Sequence, residues 1–275
     1  MDSPSASPET NRNGPDVFAP FTLVEGDAAS GLLLVCDHAE NRLPPEYGDL
    51  GLPAAEFQRH IAYDPGAAEL TRRLAAMLEA PAVLSTFSRL LIDANRGEDD
   101  PTLIMRLSDG AIVPGNTEAD DAERARRIAR FHAPYHDAIT AAIDRAIDAG
   151  HVPMVFSVHS FTPVWRGARR PWHAGVLWDL DPRFAVPLIE ALRADPALVV
   201  GDNEPYAGAL ANDTMNRHAT LRGLAHALIE VRQDLIADDR GVAGWCERLA
   251  SILSAINAQP DVHEVRRFGS KSGVG

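Results

Sequence analysis

The chain has 275 residues, 45% of them hydrophobic and 24% charged, the balance of a soluble globular protein with enough apolar surface to build a core unaided. Its formal net charge of −13 argues against nucleic acid or an anionic membrane as a partner, although a local basic pocket for a small carboxylate stays open. Its two cysteines, Cys36 and Cys246, exclude a disulfide framework and suit a reducing, cytoplasmic compartment.

The N-terminal stretch is rich in Ser, Pro and Asn and has neither the basic nor the apolar part of a secretory signal. Residues 1–18 read as a disordered tail, 19–268 as one domain and 269–275 as a short C-terminal tail. No apolar run approaches the ~20 residues that cross a bilayer.

In chain order, Leu32 to Cys36 is a continuous apolar run of the kind found in strands buried on both faces. Asp64 and Pro65 then suit the N-cap and first turn of a helix whose face carries Leu70, Leu74, Met77 and Leu78. Ala82 to Thr86 and Leu90 to Ile92 read as two more strands. A charged helix is predicted from about Glu118 to Ala149, with Ile128, Phe131, Tyr135, Ile139, Ile143 and Ile147 on its apolar stripe. Met154 to Val158, Ala174 to Trp178 and Ala227 to Val231 read as strands, and Phe184 to Leu192 and Trp245 to Ile256 as amphipathic helices. Alternating strands and helices predict an α/β fold: a mixed, largely parallel sheet flanked by helices on both faces. In such sheets ligands bind beyond the carboxyl ends of the strands.

The residues just after the apolar runs are therefore the ones to weigh. Asp37, His38, Glu40 and Asn41 follow the first, His159 and Ser160 the fourth, and Asp93, Asn95 and Arg96 follow Ile92. A single His at a strand end is most often a hydrogen-bonded packing residue. Two of them, with a carboxylate from Asp64, Glu40 or Asp37, would match a catalytic zinc, which takes about three protein ligands and keeps a position open. Glu230 lies in an otherwise apolar run, where a carboxylate needs an ion pair (Arg232 is the nearest), a metal, or a raised pKa suited to acid/base work. Arg96 beside Asn95 offers a planar fork of donors for a carboxylate, and Arg89 is a second candidate for that task.

Taken together, the segments VCDHAENRLP (35–44), HIAYDPGA (60–67), SRLLIDANRG (88–97), FSVHSF (156–161), DNEPYAG (202–208), NRHA (216–219) and GLAHALIEVRQDLI (223–236) resemble the N-formylglutamate amidohydrolase family. The chain is similar, more distantly, to aspartoacylase-type and carboxypeptidase-type zinc enzymes. The resemblance implies a zinc-exopeptidase-like fold, one zinc ion and hydrolysis of a small N-acyl amino acid. It implies His38 and His159 as ligands, Asn95 and Arg96 as readers of the substrate carboxylate, and Glu230 as general base. The more distant relatives write the first loop as His-x-x-Glu with both residues on zinc, whereas Asn41 stands third after His38 here and the Glu comes one place early, at Glu40. Asp64 is thus the preferred third ligand, with Glu40 and the Asn41 side-chain oxygen as alternatives. Two other functions stay in view: a carboxypeptidase-like or other N-acyl amino-acid deacylase, and an inactive binding or regulatory protein on the same fold.

Overall fold

The computed structural model describes residues 18–273, so the expected N-terminal tail, apart from Phe18, and the last two residues lie outside the described part. Strands are β1 (Phe21–Val24), β2 (Leu32–Cys36), β3 (Ala82–Ser85), β4 (Leu107–Ser108), β5 (Ala111–Ile112), β6 (Met154–Phe161), β7 (Val164–Trp165), β8 (Ala168–Arg169), β9 (Ala174–Leu177), β10 (Val200–Asp202) and β11 (His226–Arg232). Helices are α1 (Ala67–Leu78), α2 (Pro114–Thr117), α3 (Asp121–Arg127), α4 (Ala133–Asp148), α5 (Pro182–Arg193) and α6 (Asp239–Asn257). Seven strands form one sheet in the order β1-β3-β2-β6-β11-β9-β10, while β4–β5 and β7–β8 are small hairpins. The central four, β3, β2, β6 and β11, run parallel. β1 is antiparallel at one edge, and β9 runs antiparallel to β11 with β10 parallel to β9 beyond it.

The continuous apolar runs are explained by burial on both faces. Because side chains alternate along a strand, Leu32, Leu34 and Cys36 of β2 pack with α1, α5 and α6, while Leu33 and Val35 pack with Tyr135, Ile139 and Ile143 of α4. Helices therefore cover both faces, as expected. Among the described residues, no helix is long and apolar enough to cross a membrane. Cys36 and Cys246 are both free and buried.

Four local expectations are corrected. Leu90 to Ile92 is a buried turn, not a strand: the Leu90 carbonyl accepts from Asn116 Nδ2 (2.7 Å) and the Leu91 carbonyl from Arg127 Nη1 (2.8 Å), so side chains replace a ladder. The first long helix starts at Ala67 behind Gly66, not at an Asp64 cap. Gly66 has φ +84°, and a Cβ there would stand 2.5 Å from the Ile236 carbonyl oxygen, so only glycine makes that turn without strain. Met77, expected on this helix's buried stripe, is 54% exposed. The helix expected from Glu118 is capped by Asp120, begins at Asp121, and passes through a π turn, Ile128–His132, before α4. The short strands β1 and β10 had no sequence signal strong enough to be expected.

Candidate active site

The parallel order of β2, β6 and β11 sets their carboxyl ends side by side. β2 delivers Asp37 and His38, and β6 carries His159 directly opposite Glu230 of β11. Asp64 comes from the loop before α1 and is tied to the first loop by its backbone N–H, which donates to the His38 carbonyl at 2.9 Å. The chain after β3, pinned by Asn116 and Arg127, brings in Arg89, Asp93, Asn95 and Arg96.

The two imidazoles meet with ring centroids 4.9 Å apart. Nδ1 of His159 is 2.8 Å, and Nδ1 of His38 3.4 Å, from the same oxygen, Oδ2 of Asp64. The ligand atoms of His38, Asp64 and His159 all lie within 4.8 Å of one another, so the group could hold a metal ion. Each ring is steered from behind by a second carboxylate: Nε2 of His38 is 2.7 Å from Asp93 Oδ1, and Nε2 of His159 is 3.0 Å from Asp37 Oδ2. Such carboxylate–histidine pairs fix ring orientation in metal sites. Asp37 is itself saturated, accepting from Tyr135 Oη (2.9 Å), Thr214 Oγ1 (2.6 Å) and Ser157 Oγ (3.1 Å).

Electrostatics follow from this crowding of buried acids. Burial alone would raise Asp37, but the hydrogen bond and charge of His159 hold it below the usual carboxylate range. Burial likewise opposes the ionised form of Asp64, yet His38 and His159 keep it low. Burial would lower His159, but Asp37 and Asp64 outweigh it and draw its imidazole toward the charged form. A divalent cation at the same place would satisfy the same acids. Glu230 behaves differently: burial pushes its carboxyl up to about 7, with Asp64 adding to the rise and His159 opposing it. Its Oε2 is buried without a hydrogen-bond partner.

The alternatives sort as follows. Asp64 converges with the two His, whereas Glu40 pairs with Arg42 and Arg72 nearer the surface and Asn41 donates to the Phe57 carbonyl at 2.7 Å. Asp37 reaches His159 from the far side of the ring. Arg232 does not pair with Glu230; it binds Asp234, with Nε 2.7 Å from Oδ1. Asn95 accepts from the Thr214 N–H at 3.2 Å, and both Asn95 and Arg96 line the cavity. Arg89 departs from its expected task. Its Nε and Nη2 are 3.1 and 2.7 Å from Asp93 Oδ2, and Nη1 lies 3.6 Å from Asp64 Oδ1, so its fork serves the buried acids.

Sequence reasoning gave no role to Asp93, although a carboxylate ending the apolar run LLI carries the same signal as Glu230. It also passed over Asp213, whose carboxyl burial raises to about 7, and Tyr206, whose phenol oxygen accepts from Arg170 Nη1 at 2.9 Å. Tyr206 reaches the site because Gly175 of β9 is bare: a Cβ there would stand 1.8 Å from the Glu204 carbonyl oxygen, in the segment that carries Tyr206 over the sheet.

A cavity of about 310 Å³ is lined by His38, Asp64, Arg96, His159, Tyr206, Asp213 and Glu230, among others. That volume suits a small metabolite.

Comparison with known proteins agrees with this geometry. A family model described as N-formylglutamate amidohydrolase matches residues 30–237. Among solved structures, a gene product of Agrobacterium tumefaciens is 33% identical, with a TM-score of 0.82 over 88% of this chain and 96% of that one. The N-formylglutamate amidohydrolase of Ralstonia eutropha is 22% identical, with a TM-score of 0.66 over 87% of this chain and 97% of that one, a likeness of fold. No curated protein matches significantly.

Proposed function

The chain belongs to the N-formylglutamate amidohydrolase family, and on that premise we propose that it is a zinc-dependent hydrolase cleaving the amide bond of a small N-acyl amino acid. The observation that carries this reading is the meeting of His38, Asp64 and His159 at one wall of a small cavity, with Glu230 unpaired on the neighbouring strand. Two imidazoles and one carboxylate suit a catalytic zinc ion, and the donor set here is complete, with both rings backed by acids. When bound, zinc would polarise the amide carbonyl and make water a better nucleophile.

The chain's own residues supply the rest. Glu230, whose carboxyl ionises near neutrality, accepts a proton from the attacking water at its unpartnered Oε2 and returns it to the leaving amine. Arg96, with Asn95 beside it, binds the substrate carboxylate through its guanidinium fork and so orients the amide. Arg89 balances the charge of Asp93 and Asp64 and keeps the support of His38 in place.

The test is a panel of N-formyl, N-acetyl and peptide-linked amino acids incubated with zinc-loaded protein, with release of free amine followed. Release from a simple N-acyl amino acid supports the reading. Release from dipeptides alone would favour a carboxypeptidase-like enzyme, and no release from any compound would refute hydrolysis.

A further inference from the structure

Beyond the reacting groups, the sheet floor changes character one step along the strands. On β11, His226, Leu228 and Glu230 share the face that lines the cavity, since side chains alternate along a strand. Glu230 is flanked in register by His159 of β6 and Gly175 of β9. Leu228, two residues and about 6.6 Å back, is flanked by Ser157 and by Leu177 of β9. Ser157 is spent on Asp37, so this second row is two leucines wide on its open side. Met215 belongs to the same hydrophobic cluster as Leu177 and Leu228, and Leu210 and Trp178 also line the cavity.

The inner end holds no charge that could receive an acid. His226 has Nδ1 2.9 Å from the Leu224 carbonyl oxygen and Nε2 3.1 Å from Thr220 Oγ1, and burial lowers its pKa, which keeps it neutral. Of the arginines lining the cavity, Arg89 is committed to Asp93 and Asp64, which leaves Arg96. Arg170 lies behind Tyr206 and donates Nη1 to its phenol oxygen. None of the acids lining the cavity, Asp64, Asp109, Asp213 and Glu230, offers a second carboxylate a cationic partner. A carboxylate buried on the leucine row would be desolvated without a partner, whereas an alkyl group there only leaves water.

We propose that the amino acid bound in this cavity carries a single carboxylate, held by Arg96, and an apolar side chain seated on Leu177, Leu228 and Met215, rather than the second carboxylate of glutamate. This assignment rests on the reading of the cavity as an N-acyl amino-acid site. It makes Leu177, Leu228 and Met215 specificity-determining residues.

Binding is the cleanest readout, because it is separate from turnover. Calorimetry on the zinc-loaded full chain compares N-formyl-leucine, N-formylglutamine and N-formylglutamate. The leucine derivative is expected to bind at least ~10-fold more tightly than the glutamate derivative, the size of discrimination that apolar pockets commonly achieve. The neutral glutamine derivative should fall between them. Leu228→Ala is expected to weaken the leucine derivative ~10-fold while leaving the glutamate derivative unchanged. Leu177→Ala provides the same reading should the first variant not fold. Equal or tighter binding of the glutamate derivative, equal losses for both ligands in the folded variant, or no binding of any of the three would overturn the assignment. Tight binding of the leucine derivative with no hydrolysis of any compound would keep the assignment and overturn the hydrolase reading. Preferential hydrolysis and binding of the glutamate derivative would do the reverse.

Discussion

Nε2 of His159 stands 3.0 Å from Oδ2 of Asp37, while the same ring presents Nδ1 to Asp64 at 2.8 Å. Asp37 is thus the support, and Asp64 the partner on the side of the candidate metal site. Three hydroxyls, from Tyr135, Ser157 and Thr214, keep the support from turning. Asp37→Asn retains the shape but weakens the hold on the ring. Zinc affinity, measured by competition with a chromogenic chelator, should fall about 10–100-fold, the usual effect of losing such a supporting acid. An unchanged affinity would show that the Asp37 contact does not orient a ligand.

Glu230→Gln should keep zinc content and fold while kcat drops by roughly 10²–10⁴-fold, the share that general acid/base catalysis commonly contributes. Since Arg232 is engaged with Asp234, no ion pair is broken by this change. Melting temperature and kcat measured on the one variant separate the two roles. A destabilised protein with normal kcat per folded molecule would remove Glu230 from the chemistry.

Arg96→Lys replaces a bidentate fork by a point charge. KM for an N-acyl amino acid should rise strongly, while the neutral amide analogue, poor with the native protein, should be little affected. Equal KM values for the acid and its amide in the native protein would contradict the assigned role.

A pH dependence follows from Asp213, whose carboxyl burial raises from 3.8 to about 7. The folded protein retains a proton that the unfolded chain releases between those values. The group's contribution to stability is therefore fully present below about pH 4 and is lost as pH rises through 7. A shift of this size corresponds to at most about 4 kcal/mol. Asp213→Asn cannot ionise, so its melting temperature should exceed that of the native protein at pH 8 and lose the advantage near pH 4. The same slope with pH in both proteins would show that Asp213 does not titrate in the folded state.

The sequence made the fold legible where one physical requirement dominated. Runs such as LLLVC and MVFSV must be buried on both faces, and β2 and β6 follow from that. Leu90 to Ile92 has the same composition, yet becomes a turn because Asn116 and Arg127, distant in the chain, take its carbonyls. Nothing local in the sequence announces those partners. His38, His159 and Glu230 were legible as polar residues ending apolar runs, and the structure brings all three to one cavity. The choice of Asp64 over Glu40 depends on where the loop before α1 returns, which the sequence suggested only through the family resemblance. The engagement of Arg89 with buried acids depends on the turn that brings Asp93 back to 2.7 Å from its Nη2.

The most direct measurement is amine release from an N-acyl amino acid before and after zinc is stripped with a chelator and restored. The account predicts that stripping abolishes release and that about one equivalent of zinc per chain restores it, with no restoration in His159→Ala. Full activity in protein shown by metal analysis to be free of zinc and other divalent ions would contradict it.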